Sequence, residues 1–111
     1  MTDFEILLFQ LQALAHPARL WIVSYLSDGN RSFVSQLAKE AGISRPLMKM
    51  HLIKLERAKL VTSAFEPAAS GKMANFYQIN PFVLSLDPKI IAQNGPYPQP
   101  GTYHAEGDAD D

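Results

Sequence analysis

The chain has 111 residues, the size of one domain that can bury its own core. Its apolar share of 47% fits a globular protein, and no apolar run reaches the roughly 18 residues that a membrane span needs. The chain has no cysteine, which excludes disulfides and thiolate metal sites. Asp3 and Glu5 stand where a secretory signal would be positively charged, so we expect a cytoplasmic protein.

The formal net charge of −1 hides an uneven distribution of charge along the chain. Residues 31–72 carry eight Lys and Arg against three Glu, a local charge of +5, whereas residues 93–111 carry four carboxylates and no Lys or Arg. Because a polyanion responds to local rather than average charge, the middle of the chain remains a candidate for binding nucleic acid.

Residues 3–14 are predicted to form a helix with apolar residues on two faces. Such a helix is covered on both sides, and a small domain has one core face to offer. We therefore expect the second face to form the seam of a homodimer. The alternative is a helix wrapped entirely by its own domain. The residues expected in the seam are Phe4, Leu7, Leu8 and Leu11.

Capping and turn residues predict the next two helices. Pro17 suits the first position of the second helix, which the turn at residues 28–30 ends. Ser32 is predicted to cap a third helix, and Gly42 supplies the left-handed residue that a sharp helix end needs. The inner face of this third helix is expected to contain Phe33, Leu37 and Ala41.

A longer helix is predicted over residues 45–58, with Ser44 as its N-cap. If the apolar stripe that begins at Met48 is buried, the opposite side carries cationic and apolar side chains together. These are Pro46, Lys49, Met50, Ile53, Lys54 and Arg57. A short helix, a three-residue turn and a longer basic helix form a helix-turn-helix, in which the second helix enters a DNA major groove.

The apolar period changes after this helix. Two segments rich in β-forming residues flank a turn, so residues 60–79 are predicted to form a hairpin, or wing, with Lys72 at its tip. Residues 81–92 are expected to pack on the core as a short helix or extended segment. The folded domain is predicted to cover residues 1–92, and the Pro/Gly-rich acidic segment 93–111 is predicted to be a disordered tail.

Together these elements indicate a mainly α-helical winged helix-turn-helix with a small β-hairpin and an extra N-terminal helix for dimerisation. Arg45, Lys49 and Met50 are expected at base edges, because Lys and Arg can donate to guanine and apolar groups can contact thymine methyls. Phosphate contacts are expected from Ser44, Lys54, Arg57 and Lys72. Because Met50 and Ile53 equally suit a protein partner, the alternative is a protein–protein interaction module without DNA-binding activity.

Other classes of function find little support in the sequence. There is no glycine-rich phosphate loop, no nucleophile with a plausible base and no carboxylate pair in the folded part, so no enzyme activity or cofactor is expected. His51 is predicted to be a half-buried packing residue. His104 lies near Glu106 and Asp108 in the tail, where ordering would cost entropy, so no metal is expected. The sequence gives least support to a sensor of an organic ligand, because it shows no group of polar residues that would bind one.

Two stretches of the chain resemble the ArsR-type winged-helix repressors. LQALAHPARLWIVSYL is similar to their opening signature. SQLAKEAGISRPLMKMHLIKLERAKLV is similar to their helix-turn-helix, including the pair His51-Leu52 and the leucine at 55. The resemblance covers residues 11–79. It implies a homodimeric transcriptional repressor on a palindromic operator, with residues 44–57 as recognition helix and 60–79 as wing.

The chain departs from this family at three places. The cysteine pair of the arsenic and metal sensors is absent from residues 33–38, and the proline-rich end lacks the final helix that holds zinc in another subgroup. The resemblance therefore implies no metal site, and it leaves dimerisation to the N-terminal helix. Lys59 stands where the family usually has glycine, which costs little if the backbone there is right-handed.

Overall fold

A computed structural model describes residues 1–103 of the chain. Within that range the elements run in the order α1 (Asp3–Leu14), α2 (Pro17–Leu26), β1 (Ser32–Phe33), α3 (Val34–Ala41), α4 (Arg45–Arg57), β2 (Val61–Pro67), β3 (Met73–Ile79) and α5 (Pro88–Gln93). The predicted architecture, mainly α-helical with a small sheet, is confirmed.

Local hydrogen bonds explain where the helices begin and end. His16 Nδ1 accepts from the Ala18 N–H at 3.0 Å at the start of α2, and Ser44 Oγ accepts from the Leu47 N–H at 3.2 Å at the start of α4. Gly42 ends α3 with a φ of 72°, which lets the Ile43 N–H reach the Ala38 carbonyl at 3.1 Å. The predicted roles of Pro17, Gly42 and Ser44 are confirmed.

The sheet has three antiparallel strands in the order β1-β3-β2 within the described chain. The hairpin of β2 and β3 is confirmed, and its 68–72 turn closes through a 2.7 Å bond from the Ala68 N–H to the Lys72 carbonyl. The prediction that Ser32 caps α3 is wrong. Ser32 pairs with Tyr77 in β3, its Oγ donates to Gln36 Oε1 at 2.9 Å, and Phe33 is the N-cap.

The core lies between the first four helices and the base of the hairpin. The side chains excluded from solvent include Ile22, Leu26, Leu37, Met48, Leu52, Leu55, Leu60 and Tyr77. His51 is only 2% exposed, so the expectation of a half-buried histidine is wrong. The extra burial comes from contacts with α1 and α2 that the spacing within α4 does not reveal.

Helix α4 ends at Arg57, one residue earlier than predicted, with Ala58 as its C-cap. Lys59 then adopts a φ of 61°, so the right-handed backbone assumed for it is not found. Its N–H donates to the Glu56 carbonyl at 2.9 Å, and the Leu60 N–H donates to the Leu55 carbonyl at 3.0 Å. This is the pattern that ends many helices with a left-handed glycine, here built with a side chain that disfavours it.

The segment after the sheet returns to α1. Phe82 packs against the core, and α5 runs one residue past the predicted domain boundary at 92. Residues 94–103 form no helix or strand, as their prolines require, yet Tyr97 and Tyr103 both pack against Phe4. The first part of the segment predicted to be disordered therefore lies on α1, and residues 104–111 lie outside the described residues.

Among residues 1–103 no helix is by itself long and apolar enough to cross a bilayer. Helices α1 and α2 reach the necessary length and apolarity only when taken together, across a bend of 93°.

Candidate nucleic-acid interface

The outward face of α4 combines positive charge with apolar surface. Met48, His51, Leu52 and Leu55 are buried, which fixes the opposite side of the helix toward solvent. There Met50 is 42% and Ile53 39% exposed. The exposed polar and cationic neighbours on this side and at the helix start are Ser44, Arg45, Lys54 and Arg57, together with Pro46. The face can therefore contact an anionic and partly apolar surface at once.

The start of α4 offers side chains rather than backbone groups to an anion. Pro46 has no N–H, and the Leu47 N–H already donates to Ser44 Oγ. Ser44 can still donate its own hydroxyl proton, and the Arg45 side chain is exposed beside it. A phosphate at this end would therefore be held mainly by Ser44 and Arg45.

Lys49 differs from the other cations of α4 because it faces the sheet. Its Nζ donates to Tyr77 Oη at 3.0 Å and lies 5.7 Å from the centroid of the Tyr77 ring. Glu56, two turns later on the same flank, accepts a 2.8 Å hydrogen bond from Ser63 Oγ. Lys49 is therefore half-buried, and it would have to leave Tyr77 to reach a base.

The charge of the surrounding surface follows from these pairings. Glu56 is the only carboxylate in the sequence of α4, and it points toward Ser63 of the hairpin. Arg31 forms a 2.7 Å ion pair with Glu66 and lies 5.1 Å from the centroid of the Phe76 ring. The outward face of α4 therefore carries Arg45, Lys54 and Arg57, while the one carboxylate of this helix points toward the hairpin.

The hairpin adds one cation and one apolar side chain. Lys72 is exposed in the 68–72 turn, as expected for a wing tip. Phe65 on β2 is 65% exposed, although it shares a strand face with the buried Val61. Strand alternation would have predicted a buried Phe65, and it is exposed because the hairpin extends beyond the core. Leu47, 41% exposed, was also missed, although its spacing of three residues from Met50 would have placed it on the outward face of α4.

A buried cation connects α4 to the first two helices. Arg19 is 8% exposed; its Nε donates to the Ala13 carbonyl at 2.7 Å and one Nη lies 3.0 Å from His51 Nδ1. Since arginine can only donate, His51 Nδ1 accepts and the imidazole is neutral. Burial, with the nearby charges of His16 and Arg19, lowers the pKa of His51, and burial lowers the pKa of Arg19.

Arg19 was not predicted from the sequence. Along α2 it reads as an ordinary solvent-facing cation, and its partner His51 lies 32 residues away. Within the described chain no buried side-chain nitrogen or oxygen lacks a hydrogen-bond partner, so this network is fully satisfied.

The residues predicted for a dimer seam are brought together by α1. Leu7 is buried, and Phe4, Leu8 and Leu11 are half-buried under the C-terminal segment. Phe9 and Ala13, on the other apolar face of α1, pack into the core. In residues 1–103 no three His, Asp or Glu side chains come together as a metal site.

Comparison with known proteins identifies this arrangement. A profile described as "Bacterial regulatory protein, arsR family" matches residues 16–63, which include α2, α3 and α4. An uncharacterised HTH-type transcriptional regulator of Methanocaldococcus jannaschii is 35% identical over 80 residues, which are 72% of this chain and 82% of the relative. The chain belongs to the ArsR family. This ArsR-family protein is accordingly a DNA-binding transcriptional regulator, and not an enzyme.

Solved structures agree with this assignment. NolR from Sinorhizobium fredii is similar with a TM-score of 0.59 and 29% identity, covering 71% of this chain and 73% of its own. HlyU from Vibrio cholerae is similar with a TM-score of 0.58 and 25% identity, covering 83% of this chain and 87% of its own. The winged helix-turn-helix fold predicted from the sequence is confirmed.

Proposed function

We propose that this ArsR-family regulator is a sequence-specific repressor that binds double-stranded DNA as a homodimer. Helix α4 enters the major groove, and the wing of β2 and β3 lies on the flanking backbone or minor groove. The observation that carries this proposal is the outward face of α4, where exposed Arg45, Lys54 and Arg57 alternate with exposed Met50 and Ile53. No carboxylate of α4 points the same way.

The side chains divide between the two parts of a DNA surface. Ser44, Lys54, Arg57 and Lys72 suit phosphates, because they lie at the helix start, along its exposed side and at the wing tip. Arg45 and Met50 occupy the N-terminal half of α4, where recognition helices contact base edges. Pro46 and Ile53 supply apolar contact to thymine methyls. Lys49 joins the base contacts by exchanging Tyr77 Oη for an acceptor on a base.

Exposed apolar side chains around α1 support self-association. Five large hydrophobic residues of the α1 and α5 region are more than a third exposed: Ile6, Val83, Leu86, Ile91 and Tyr97. A monomer gains nothing by leaving such a surface in water, and a two-fold interface would cover it. The proposed seam is centred on the stripe Phe4, Leu7, Leu8 and Leu11, and the partner approaches this stripe across the C-terminal segment that lies on it. Two reading helices must then reach half-sites about 34 Å apart.

Salt titration tests the phosphate contacts. We expect the affinity for a mixed-sequence duplex, measured by fluorescence anisotropy, to fall steeply with salt, with a log–log slope near −0.9 for each neutralised phosphate. Lys54→Ala removes one phosphate contact from each protomer and should therefore make the slope for the dimer shallower by about 1.8. Lys89→Ala is the matched control, because Lys89 is equally exposed but lies on α5. A flat titration, or equal effects of both substitutions, would contradict the proposal.

Specificity, assembly and sign of regulation need separate measurements. Selection from a random duplex pool should return a palindrome with half-sites one helical turn apart, and sedimentation should give twice the mass of the chain. A reporter fused to the selected site should be expressed more strongly when the protein is removed. Reduced expression would make the protein an activator, and selection of no common sequence would contradict specific binding.

The exposed apolar side chains Leu47, Met50 and Ile53 also favour the second candidate, a protein–protein interaction module. They form an apolar stripe on α4 that a partner helix could cover. Absence of any shift of duplex DNA at micromolar protein and low salt would favour this role over DNA reading.

A further inference from the structure

A cavity of about 380 Å³ lies between α1 and the C-terminal segment. Its floor is the apolar stripe of α1, including Phe4, Leu8 and Leu11, and its outer wall is built by Tyr97, Tyr103 and the prolines between them. Ile91 of α5 closes one side. The volume falls within the range of about 300–1,000 Å³ that small-molecule sites occupy.

We propose that this cavity is a binding site for a small, uncharged aromatic or aliphatic molecule. Among residues 1–103, every side chain that lines the cavity is aromatic, aliphatic or proline, so this lining contains no cation or carboxylate to pair with a charged ligand. An uncharged apolar molecule loses nothing by leaving water for such a site, whereas an ion would lose its hydration without compensation. The lining has no cluster of charged side chains, which disfavours a charged ligand and favours an uncharged apolar one.

The aromatic side chains give the site a defined shape. The Phe4 ring lies 5.8 Å from the Tyr97 ring at an interplanar angle of 60°, and 5.7 Å from the Tyr103 ring at 75°. Such tilted and edge-on pairs leave ring faces available to a planar guest. Tyr97 is further fixed because its hydroxyl donates to the Ile91 carbonyl.

A glycine allows this arrangement of Tyr97. A Cβ on Gly95 would lie 3.2 Å from Tyr97 Cδ2 and 3.3 Å from the Ala92 carbonyl oxygen, which is tighter than an ordinary contact. The absence of a side chain at Gly95 therefore lets the Tyr97 ring turn back over the end of α5. The outer wall of the cavity is thus positioned by the chain itself.

The same wall argues against a protein segment as the occupant. The groove along α1 is already partly covered by the chain's own segment of Tyr97, Tyr103 and the intervening prolines, and what remains beside it is a space of small-molecule size that is open to solvent on one side. A second copy of the chain would contact the outside of this wall, through the exposed Tyr97 edge and Ile91. Ligand binding and self-association therefore use opposite sides of one segment.

A matched pair of fluorescent probes tests the proposal on the full chain without DNA. N-phenyl-1-naphthylamine is neutral, and 8-anilino-1-naphthalenesulfonate has the same three rings with an added sulfonate. We expect saturable enhancement of the neutral probe's fluorescence, with one site per chain and a micromolar Kd. Binding of the sulfonated probe should be at least tenfold weaker. Equal binding of both, or unsaturable binding, would overturn the site.

Substitutions locate the binding. Leu8→Trp fills the cavity and should weaken binding of the neutral probe at least tenfold, whereas Leu20→Trp, on the exposed side of α2, should leave it unchanged. Tyr103→Ala removes one wall ring at the edge of the described chain and should weaken binding about threefold or more, so the test does not depend on Leu8→Trp folding. Circular dichroism checks each fold. Undiminished binding by folded Leu8→Trp or Tyr103→Ala would place the probe elsewhere and refute the proposal.

Discussion

Lys59→Gly should stabilise this protein, although most substitutions destabilise a fold. Lys59 has a φ of 61°, where a Cβ costs about 1–2 kcal/mol relative to the right-handed region. Glycine removes that strain but adds about 0.5–1 kcal/mol of conformational entropy to the unfolded chain. The difference is a net gain of roughly 0.5–1 kcal/mol in the free energy of unfolding.

The contacts of Lys59 support treating the substitution as a backbone effect. Its side chain is exposed, while its N–H and carbonyl are both engaged, the carbonyl accepting from Asn80 Nδ2 at 2.6 Å. These backbone bonds persist in the glycine variant. Urea denaturation should show a midpoint higher by roughly 0.3–0.5 M with an unchanged m-value. In thermal unfolding, Tm should rise by about 2–6 °C.

Two controls separate strain from the loss of a lysine. Lys59→Ala keeps the Cβ and should change stability by less than about 0.5 kcal/mol. Gly42→Ala places a Cβ at a φ of 72° with no atom within 4 Å, so its expected loss of about 1 kcal/mol comes from the backbone alone. A destabilised Lys59→Gly, or an equal gain in Lys59→Ala, would refute the reasoning.

Three further predictions concern side chains that link the elements. Because the folded-state pKa of His51 lies below its ordinary value of 6.5, the unfolded chain binds the proton first as pH falls, and stability should decline below about pH 6.5 until the folded pKa is passed. His51→Asn, which keeps an acceptor for Arg19 but does not titrate, should flatten urea-derived stability between pH 7 and 5; an unchanged profile would count against the assignment. Tyr77→Phe should lower the free energy of unfolding, measured by urea denaturation, by about 1 kcal/mol. Its DNA affinity should be equal or higher, because the substitution releases Lys49 from the tyrosine hydroxyl. A reduced DNA affinity would instead show that this hydroxyl positions Lys49. Glu66→Gln should change the free energy of unfolding by no more than about 0.5 kcal/mol, because the Glu66 side chain in the ion pair with Arg31 is 43% exposed to solvent. A larger loss would show that water screens this ion pair less than its exposure indicates.

The helix-turn-helix could be predicted because its determinants act over a few residues. Pro17, Gly42 and Ser44 each set a helix end through their own backbone or a neighbour three residues away. The outward side of α4 followed from the spacing of its buried residues. The same reasoning failed at Ser32, because β1 forms only by pairing with the edge of β3. A strand of two residues has no sequence pattern that would predict this pairing.

Contacts between distant parts of the chain account for the other differences. Lys49 looked like an outward cation until the hairpin brought Tyr77 beside it, 28 residues later. The proline-rich segment after α5 lacks the repeated backbone bonds of a helix or strand, and its composition showed that correctly. Side-chain packing needs no such repeat, so Tyr97 and Tyr103 could still settle on Phe4. Composition predicts regular structure better than it predicts contact.

The hydrogen bonds of Arg19 connect the end of α1 with α4. The last carbonyls of α1 have no partner within the helix, and Arg19 bonds those of Gln12 and Ala13 at 3.4 and 2.7 Å while also bonding His51 of α4. The negative end of the α1 dipole and these acceptors offset the cost of burying the cation.

A tilt of α1 would take the Gln12 and Ala13 carbonyls away from the buried Arg19 guanidinium and leave it only His51 as a partner, unless α2, which carries Arg19, moved with α1. The cavity lies on the face of α1 away from Phe9 and Ala13, and the exposed side of α4 lies opposite the buried His51. If a molecule in the proposed cavity shifted α1, we expect the change to reach α4 through Arg19. These contacts would then couple the proposed cavity, which has no charged side chain in its described lining, to the cationic side of α4.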